Sequence, residues 1–320
     1  MSRLTLVTSA LVALSSIAIA QRVPEEGERK RVPSLVERLG HPPDAKLLII
    51  HADDLGMNHS INAASVRALE SGAINSASIM VPCPWFPEIA AYARKNPDAD
   101  FGLHLTLTSE WVSYRWGPVL PATRVPTLLD PSGYLHPTEV SAAAAIDPRE
   151  AEAEIRAQID RARAFGIEPT HLDTHMRTLH QTPELFAALL RVSRETGIPA
   201  AINRDLASDP DFAPLLGPGD VVIDRFVSIG PEVAAESWAE YYADAIRSLE
   251  PGVTELIVHV AFDDAEMRAA TGGVPGWGSG WRQRDLDVLS SDAFRRLLRE
   301  NQVRLITWRE IGALMARPAP

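Results

Sequence analysis

Residues 46–56 read KLLIIHADDLG, and this stretch decides the fold. Its first half is a short, continuous apolar run, which is typical of a parallel strand covered on both faces. Its second half carries His51, Asp53 and Asp54, polar groups that an apolar core does not accept unpaired. A buried strand ending in such residues indicates an α/β protein whose functional groups stand at the carboxyl ends of its strands.

The same alternation continues along the chain. Roughly eight strand-like runs separated by helices predict parallel βαβ units, so a single-domain (β/α) barrel over residues 46–315, which need not be regular, is favoured over an open doubly wound sheet. The predicted strands lie near residues 46–51, 76–81, 101–108, 169–175, 200–203, 221–226, 255–262 and 304–308. The predicted helices are 34–39, 61–70, 86–94, 149–165 and 184–196, and residues 109–148 form an insert with little periodicity. Neither a G-x-G-x-x-G after a strand nor a G-x-x-x-x-G-K-[ST] motif occurs, which disfavours NAD and ATP binding.

The first 20 residues are interpreted as a signal peptide. Arg3 is followed by an apolar stretch and by the small-x-small sequence Ala18-Ile19-Ala20. A core helix and an uncleaved anchor are the alternatives, but the apolar run is short for a membrane span. We expect an exported protein, periplasmic or secreted, in which residues 21–45 form a charged lead-in or linker.

Charge and cysteine content exclude several classes of function. The formal net charge is -11, which disfavours binding to nucleic acid and to anionic membranes. Cys83 is the single cysteine, so the chain can form neither an internal disulfide nor a thiolate-rich zinc site. We interpret Cys83 as a structural residue at a strand end.

Metal-type side chains recur at the ends of other predicted strands. His104 lies in GLHLT at 102–106, His259 lies in a late strand, and residues 169–175 read PTHLDTH. A strand period of two places the polar residues of that last segment on one face, where packing alone does not satisfy them. Singly, the aspartates could be helix caps and His104 a core histidine. Together they predict a metal site, with several ligand sets open.

Such a cluster suits hydrolysis. Two imidazoles and one carboxylate bind a metal and leave positions for water and substrate. A neighbouring second carboxylate is placed to act as a base. A metal and a base together activate water and polarise a carbonyl, as amide or ester hydrolysis requires.

Three segments resemble the signature segments of the YdjC-like carbohydrate deacetylases, which include the chitooligosaccharide deacetylases. They are HADDLG at 51–56, GLHLTLT at 102–108 and PTHLDTH at 169–175. The likeness runs from about residue 46 to 311 and includes PTLLDPSGY at 126–134 and HVAF at 259–262. It implies a (β/α) barrel-like domain that removes acetyl from an N-acetylated sugar or oligosaccharide with one divalent metal ion, Mg²⁺ or Zn²⁺.

The resemblance also assigns roles. Asp54, His104 and His175 match the metal ligands, and Asp53 matches the general base. His259 matches a late histidine that serves as general acid.

The sequence departs from the family at the substrate side. His51 stands where the family usually has Asn, and residues 176–180 replace a Gln-His-x-His-like run, which shifts His180 by one position and brings Arg177 to the pocket rim. The activity class is therefore better specified than the substrate. A related metallo-hydrolase acting on another amide or ester, and a catalytically silent exported sugar-binding protein, remain alternatives.

Aromatic loops complete the expected substrate pocket. Trp111 and Trp116 in the insert, with Trp277 and Trp281 after the late strand, could stack on sugar rings or pack within their loops. Glycines between residues 272 and 280 predict a mobile lid. Nearby, Arg282 and Arg284 either bond a polar substrate or pair with Asp285 and Asp287. The predicted substrate-binding residues are His51, Arg177, Trp277, Trp281 and Arg284, and a homodimer stays open.

Overall fold

A parallel sheet forms the centre of the molecule, as the alternating pattern predicts. The computed structural model describes residues 33–272 and 276–315. Its strands are β1 (Lys46–Leu55), β2 (Ser76–Ile79), β3 (Phe101–Leu105), β4 (Leu172–Thr174), β5 (Arg225–Ser228), β6 (Gly252–Val258) and β7 (Arg304–Leu305). The strand order is β4-β3-β2-β1-β6-β5, with β7 paired to the start of β1.

Helices connect the strands. Within the described residues they are α1 (Leu35–Arg38), α2 (His59–Ser71), α3 (Phe86–Lys95), α4 (Glu139–Ala145), α5 (Pro148–Ala164), α6 (Pro183–Thr196), α7 (Arg204–Ser208), α8 (Trp238–Arg247), α9 (Ala265–Ala270), α10 (Ser279–Leu289), α11 (Asp292–Glu300) and α12 (Trp308–Met315). Short 3-10 segments cover Pro126–Leu128, His175–His180, Ala213–Leu215 and Ala235–Ser237. No described helix is long and apolar enough to cross a membrane.

Strand β1 lies at the centre because its residues are apolar on both faces. Leu48 and Ile50 pack into the large cluster shared with the helices, whereas Leu47 and Ile49 pack into a second cluster around Trp308. β6 pairs along one edge of β1 over seven residues, and β7 and β2 pair with its earlier and later parts. The predicted two-sided burial of the first strand is confirmed.

The barrel closes irregularly on the side away from β1. Single parallel bridges join Leu172 to Ala200 and Asn203 to Ile223, just before β5. The strand predicted at 200–203 is therefore reduced to isolated bridges, because Asn203 caps helix α7 by accepting the Leu206 N–H. The strand predicted at 221–226 is found as β5, which begins only at Arg225. The fold class, an irregular (β/α) barrel, is confirmed.

The helices predicted at 149–165 and 184–196 are confirmed as α5 and α6, each opened by a proline and a capping side chain. The insert is less featureless than predicted, since it contains α4 and a 3-10 turn. Buried Glu154 of α5 accepts the N–H groups of Val119 and Leu120, which fixes the insert to the barrel wall. Cys83 is buried beside Met80, in agreement with a structural role.

The lead-in is described only in part. Helix α1 begins at a capping box between Ser34 and Glu37, and Val36 packs into the second cluster. The predicted signal peptide, and residues 21–32 of the predicted linker, lie outside the described residues.

Gly102 of β3 is required by a close approach. A Cβ at this position would come within 3.0 Å of the His171 ring, which is itself stacked on Trp308 and cannot move aside freely. We expect Gly102→Ala to lower the free energy of unfolding by ~1–3 kcal/mol, as overpacking of a core does. Gly219→Ala is the matched control, because nothing lies within 4 Å of its Cβ. Equal urea midpoints for the two variants would contradict the close approach.

Candidate metal centre and its cavity

The geometry of the site begins with an irregularity in β1. The register to β2 shifts between Ala52 and Leu55, and Asp54 within this bulge has a left-handed backbone with φ 70°. A bulge turns a side chain out of the regular alternation, and a non-glycine residue with positive φ stores strain that is typical of functional sites. The bulge therefore aims Asp54 at a point that regular strand geometry would not reach.

Three buried side chains meet at that point. Asp54 Oδ1 lies 3.3 Å from His175 Nδ1 and 3.5 Å from His104 Nε2, and the two imidazole nitrogens are 3.2 Å apart. His104 stands on β3, and His175 follows directly after β4. Three strands of the sheet, β1, β3 and β4, thus supply one donor atom each, as predicted for their carboxyl ends.

These residues fit a divalent cation. Asp54 Oδ1 is buried and has no hydrogen-bond partner among the described residues. One carboxylate oxygen and two imidazole nitrogens leave coordination positions open for water and substrate. Burial lowers the pKa of His175, but Glu110 and Asp54 outweigh it and raise that pKa to about 10. A cation bound here would displace this proton.

Arg282 holds the other oxygen of Asp54. Its Nη1 lies 2.8 Å from Asp54 Oδ2, and both side chains are almost fully buried. Burial raises the pKa of Asp54, but Arg282 and His175 bring it well below its ordinary value. The guanidinium also packs 5.8 Å from the centre of the Trp111 ring. Arg282 also lines the cavity, and its ion pair is with Asp54 rather than with the predicted Asp285 or Asp287.

A carboxylate stands behind each histidine. Asp173 Oδ1 lies 3.0 Å from His104 Nδ1, and Glu110 Oε2 bonds His175 Nε2 at 3.0 Å. Asp173 belongs to the polar strand face identified from the sequence. The sequence did not identify Glu110 as a site residue. Its only indication there was the position of an acidic residue shortly after the strand that carries His104.

His51 lies below the cavity rather than in it. It is fully buried and contacts Ser76 Oγ at 2.9 Å, Asp173 Oδ2 at 3.2 Å and Asp53 Oδ1 at 3.1 Å. Burial lowers the pKa of His51, but the carboxylates of Asp173, Asp53 and Glu255 raise it well above its ordinary value. The structure therefore gives His51 contacts with Asp53 and Asp173 and does not place it in the lining of the cavity, where the predicted contact with substrate would need it. Two further groups have metal-like spacing, His51–His171–Asp173 and Asp53–His104–Asp173.

Asp53 and His259 face each other across the floor of the cavity. His259 Nε2 lies 3.7 Å from Asp53 Oδ2. The His259 backbone N–H donates to Asp285 at 2.9 Å, which anchors the end of β6 to α10. Burial, aided by Arg282 and His104, lowers the pKa of His259 to about 4.

The cavity above these residues has a volume of about 680 Å³. Of the predicted substrate contacts, Arg177 and Trp277 line it, as does Trp111. Trp281 is buried against Trp238, Trp277 and His259, and Arg284 lies over the Trp238 ring, so the structure brings neither to the cavity lining. Trp116 is buried, and its Nε1 donates to the Thr108 carbonyl, in agreement with loop packing. Residues 273–275 of the predicted lid lie outside the described residues.

The comparisons with known proteins agree with this geometry. A family model described as YdjC-like protein matches residues 47–300. The chain belongs to the YdjC-like family. The predicted family is thereby confirmed.

Curated relatives of this YdjC-like chain are named carbohydrate deacetylases. One from Thermus thermophilus is 32% identical, covering 87% of this chain and 97% of the relative. Another, from Brevibacillus brevis, is 26% identical over 83% of this chain and 99% of its own length. A solved structure of an Enterococcus faecalis protein, described by a role in cellobiose-phosphate cleavage, has a TM-score of 0.71 at 24% identity and covers 83% of this chain and 99% of that one. This last likeness supports the fold alone.

Asp285 makes the stability of this YdjC-like chain depend on pH. It is fully buried, accepts from Trp238, Tyr242 and the His259 N–H, and burial raises its pKa from 3.8 to about 6. A raised carboxyl pKa contributes stability below the unfolded pKa, and this contribution is lost as pH rises through the folded pKa. The free energy of unfolding of the wild type, relative to Asp285→Asn, should fall by ~2.5 kcal/mol between about pH 4 and pH 8.

Chemical denaturation at a series of pH values checks this expectation. Asp244→Asn on α8 is the control, because Asp244 is exposed and its loss removes no buried carboxyl. A difference between wild type and Asp285→Asn that does not change with pH would contradict the assignment.

Proposed function

We propose that this YdjC-like chain is a metal-dependent carbohydrate deacetylase that hydrolyses the acetamide of an N-acetylated sugar or oligosaccharide. One divalent ion, Mg²⁺ or Zn²⁺, is held by Asp54, His104 and His175. The observation that carries the proposal is this three-donor cluster on the floor of a cavity, with the carboxylate of Asp53 beside it. The names of the curated relatives support the same reaction.

Asp53 acts as general base. When bound, the cation polarises the acetyl carbonyl and lowers the pKa of water. His51 stands against Asp53 Oδ1, whereas Oδ2 is turned toward His259. Contact with the buried imidazole of His51 fixes Oδ1 and leaves Oδ2 free toward the cavity. This oxygen takes the proton from the attacking water.

His259 returns that proton to the leaving amine. A pKa of about 4 keeps its imidazole neutral near pH 7, so it has no excess proton to give at the start of the reaction. Asp53 Oδ2, 3.7 Å from His259 Nε2, is the nearby source of one. The proton then passes from water to Asp53, to His259 and to the sugar nitrogen, and the acid step follows the base step.

The rim of the cavity binds the sugar. Trp277 is partly exposed there and offers an aromatic face for stacking, and Trp111 of the insert also lines the cavity. Arg177 is exposed at the rim with a left-handed backbone, φ 53°. These residues select the substrate, whereas the strand-end residues perform the hydrolysis.

The test of this function is acetate release from a panel of N-acetylated sugars, with Asp53→Asn as the diagnostic variant. We expect wild type to release acetate, and Asp53→Asn to lose about 10²–10⁴-fold in kcat while keeping its bound metal, since general base catalysis contributes on this scale. Asp244→Asn is the control for a surface charge change.

Three outcomes would contradict parts of the proposal. Near-normal turnover by Asp53→Asn would remove the base assignment. A wild type active only on other amides or on esters would indicate a related metallo-hydrolase. A wild type that binds sugar and never releases acetate would indicate a silent sugar-binding protein.

We also propose that the chain is exported, to the periplasm or beyond the cell, after cleavage following Ala20. The support is the charged start, the apolar run and the small-x-small site in the sequence. Mass spectrometry of protein recovered outside the cytoplasm should give a mature chain beginning at Gln21. A cytoplasmic protein that retains residues 1–20 would overturn this proposal.

A further inference from the structure

The two histidines of the metal centre use opposite ring nitrogens. His104 turns Nε2 toward Asp54 and has Nδ1 against Asp173, whereas His175 turns Nδ1 toward Asp54 and bonds Glu110 through Nε2. In neutral imidazole only one nitrogen carries a proton, and the hydrogen bond on one side decides which nitrogen is free on the other. The contact between Glu110 and His175 therefore bears directly on whether Nδ1 can bind a cation.

The charges around the metal centre make the contact between Glu110 and His175 more important for binding a cation. Asp54 is the one carboxylate of the ligand set, and Arg282 bonds its outer oxygen at 2.8 Å. The guanidinium offsets much of the attraction that this carboxylate has for a cation. Asp173 and Glu110, behind the two imidazoles, supply further negative charge close to the site.

Glu110 is held in place by its neighbours along the insert. The Ser109 N–H donates to the His136 carbonyl at 2.8 Å, and the Trp111 indole nitrogen donates to the sulfur of Met57 at 3.1 Å. The Glu110 side chain is 15% exposed and lines the cavity. The insert thus carries a fixed carboxylate into the floor of the site.

We propose that Glu110 is a positioning residue for the metal ligand His175. It keeps the proton on Nε2, turns Nδ1 toward Asp54 and His104, and adds negative charge, and so raises the affinity of the centre for a divalent cation. The inference rests on the cation of the proposed function. By this inference the insert, and not only the strand ends, contributes a residue that forms the metal centre.

The test measures Zn²⁺ affinity by competition with a chromogenic chelator, without any substrate. We expect Glu110→Ala to weaken binding by about 10–100-fold, the usual cost of removing the partner of a histidine ligand. Glu110→Gln keeps an acceptor for the Nε2 proton and loses only the charge, so its affinity should lie between those of wild type and Glu110→Ala. Glu139→Gln is the matched control, because Glu139 lines the same cavity and, among the described residues, makes no hydrogen bond or ion pair with Asp54, His104 or His175. Its affinity should stay close to that of wild type.

Two further measurements separate positioning from other roles. The circular dichroism spectra of the metal-free variants should match that of the metal-free wild type, although loss of the ion pair with His175 lowers their melting temperatures. The visible spectrum of the Co²⁺-loaded protein should show the same coordination number in wild type and Glu110→Gln.

Equal losses of Zn²⁺ affinity in Glu110→Gln and Glu139→Gln would show that any negative charge near the cavity has the same effect, and this would overturn the inference. A changed coordination number would make Glu110 a ligand and overturn it too. Failure of the wild type itself to bind Zn²⁺ or Mg²⁺ would instead refute the metal centre of the proposed function. Metal binding without any Glu110 effect would refute only the inference.

Discussion

The buried ion pair between Asp54 and Arg282 is the constraint on which the site depends. It joins the central strand β1 to helix α10 across 228 positions of sequence, and neither side chain is more than 3% exposed. A buried charge is tolerated only when it is paired and hydrogen-bonded. Arg282 therefore cannot be drawn away to a substrate without leaving Asp54 uncompensated, and the C-terminal third of the chain is tied to the metal centre. The strained backbone of Asp54 is held in place by the same pair.

Near this pair, His51 offsets the repulsion among three buried carboxyl groups. Asp53, Asp173 and Glu255 approach one another under the cavity, where like charges repel strongly because water does not screen them. The imidazole of His51 lies among all three, and its raised pKa keeps it cationic. Burial raises the pKa of Glu255 to about 7. Burial also raises the pKa of Asp173, but His104 and His51 outweigh it and hold that pKa well below its ordinary value, so Glu255 carries less charge than Asp173 near neutral pH. The family resemblance places Asn at this position, and the histidine adds a charge that an amide does not carry.

The sequence was informative where a function depends on local pattern. Asp54, His104 and His175 each follow or end a buried strand, and parallel strands bring their carboxyl ends together, so their meeting followed from periodicity and family likeness. Helices α5 and α6 followed from their spacing and caps. Pairings between distant segments carry no local signal: Arg282 with Asp54, and Glu110 with His175, depend on how loops fold over the barrel. The same limit explains the strand predicted at 200–203, where the capping role of Asn203 overrides β propensity.

The division between floor and rim follows from what holds each part. The floor stands on strands whose register is fixed by pairing that is regular up to the bulge at Asp54 and by packing on both faces. The rim is formed by the insert, by the 3-10 segment His175–His180 and by the residues leading into α10, which are loops on that scaffold. Loops change more freely than the strands that carry them. In that 3-10 segment Met176 and Arg177 both adopt positive φ, so the chain sustains backbone strain to present this side of the cavity. A substitution in the rim can therefore change which sugar enters while Asp53, Asp54 and the two histidines keep their geometry. For this reason the class of reaction can be inferred from the strand-end residues, whereas the identity of the substrate depends on the loops of the rim.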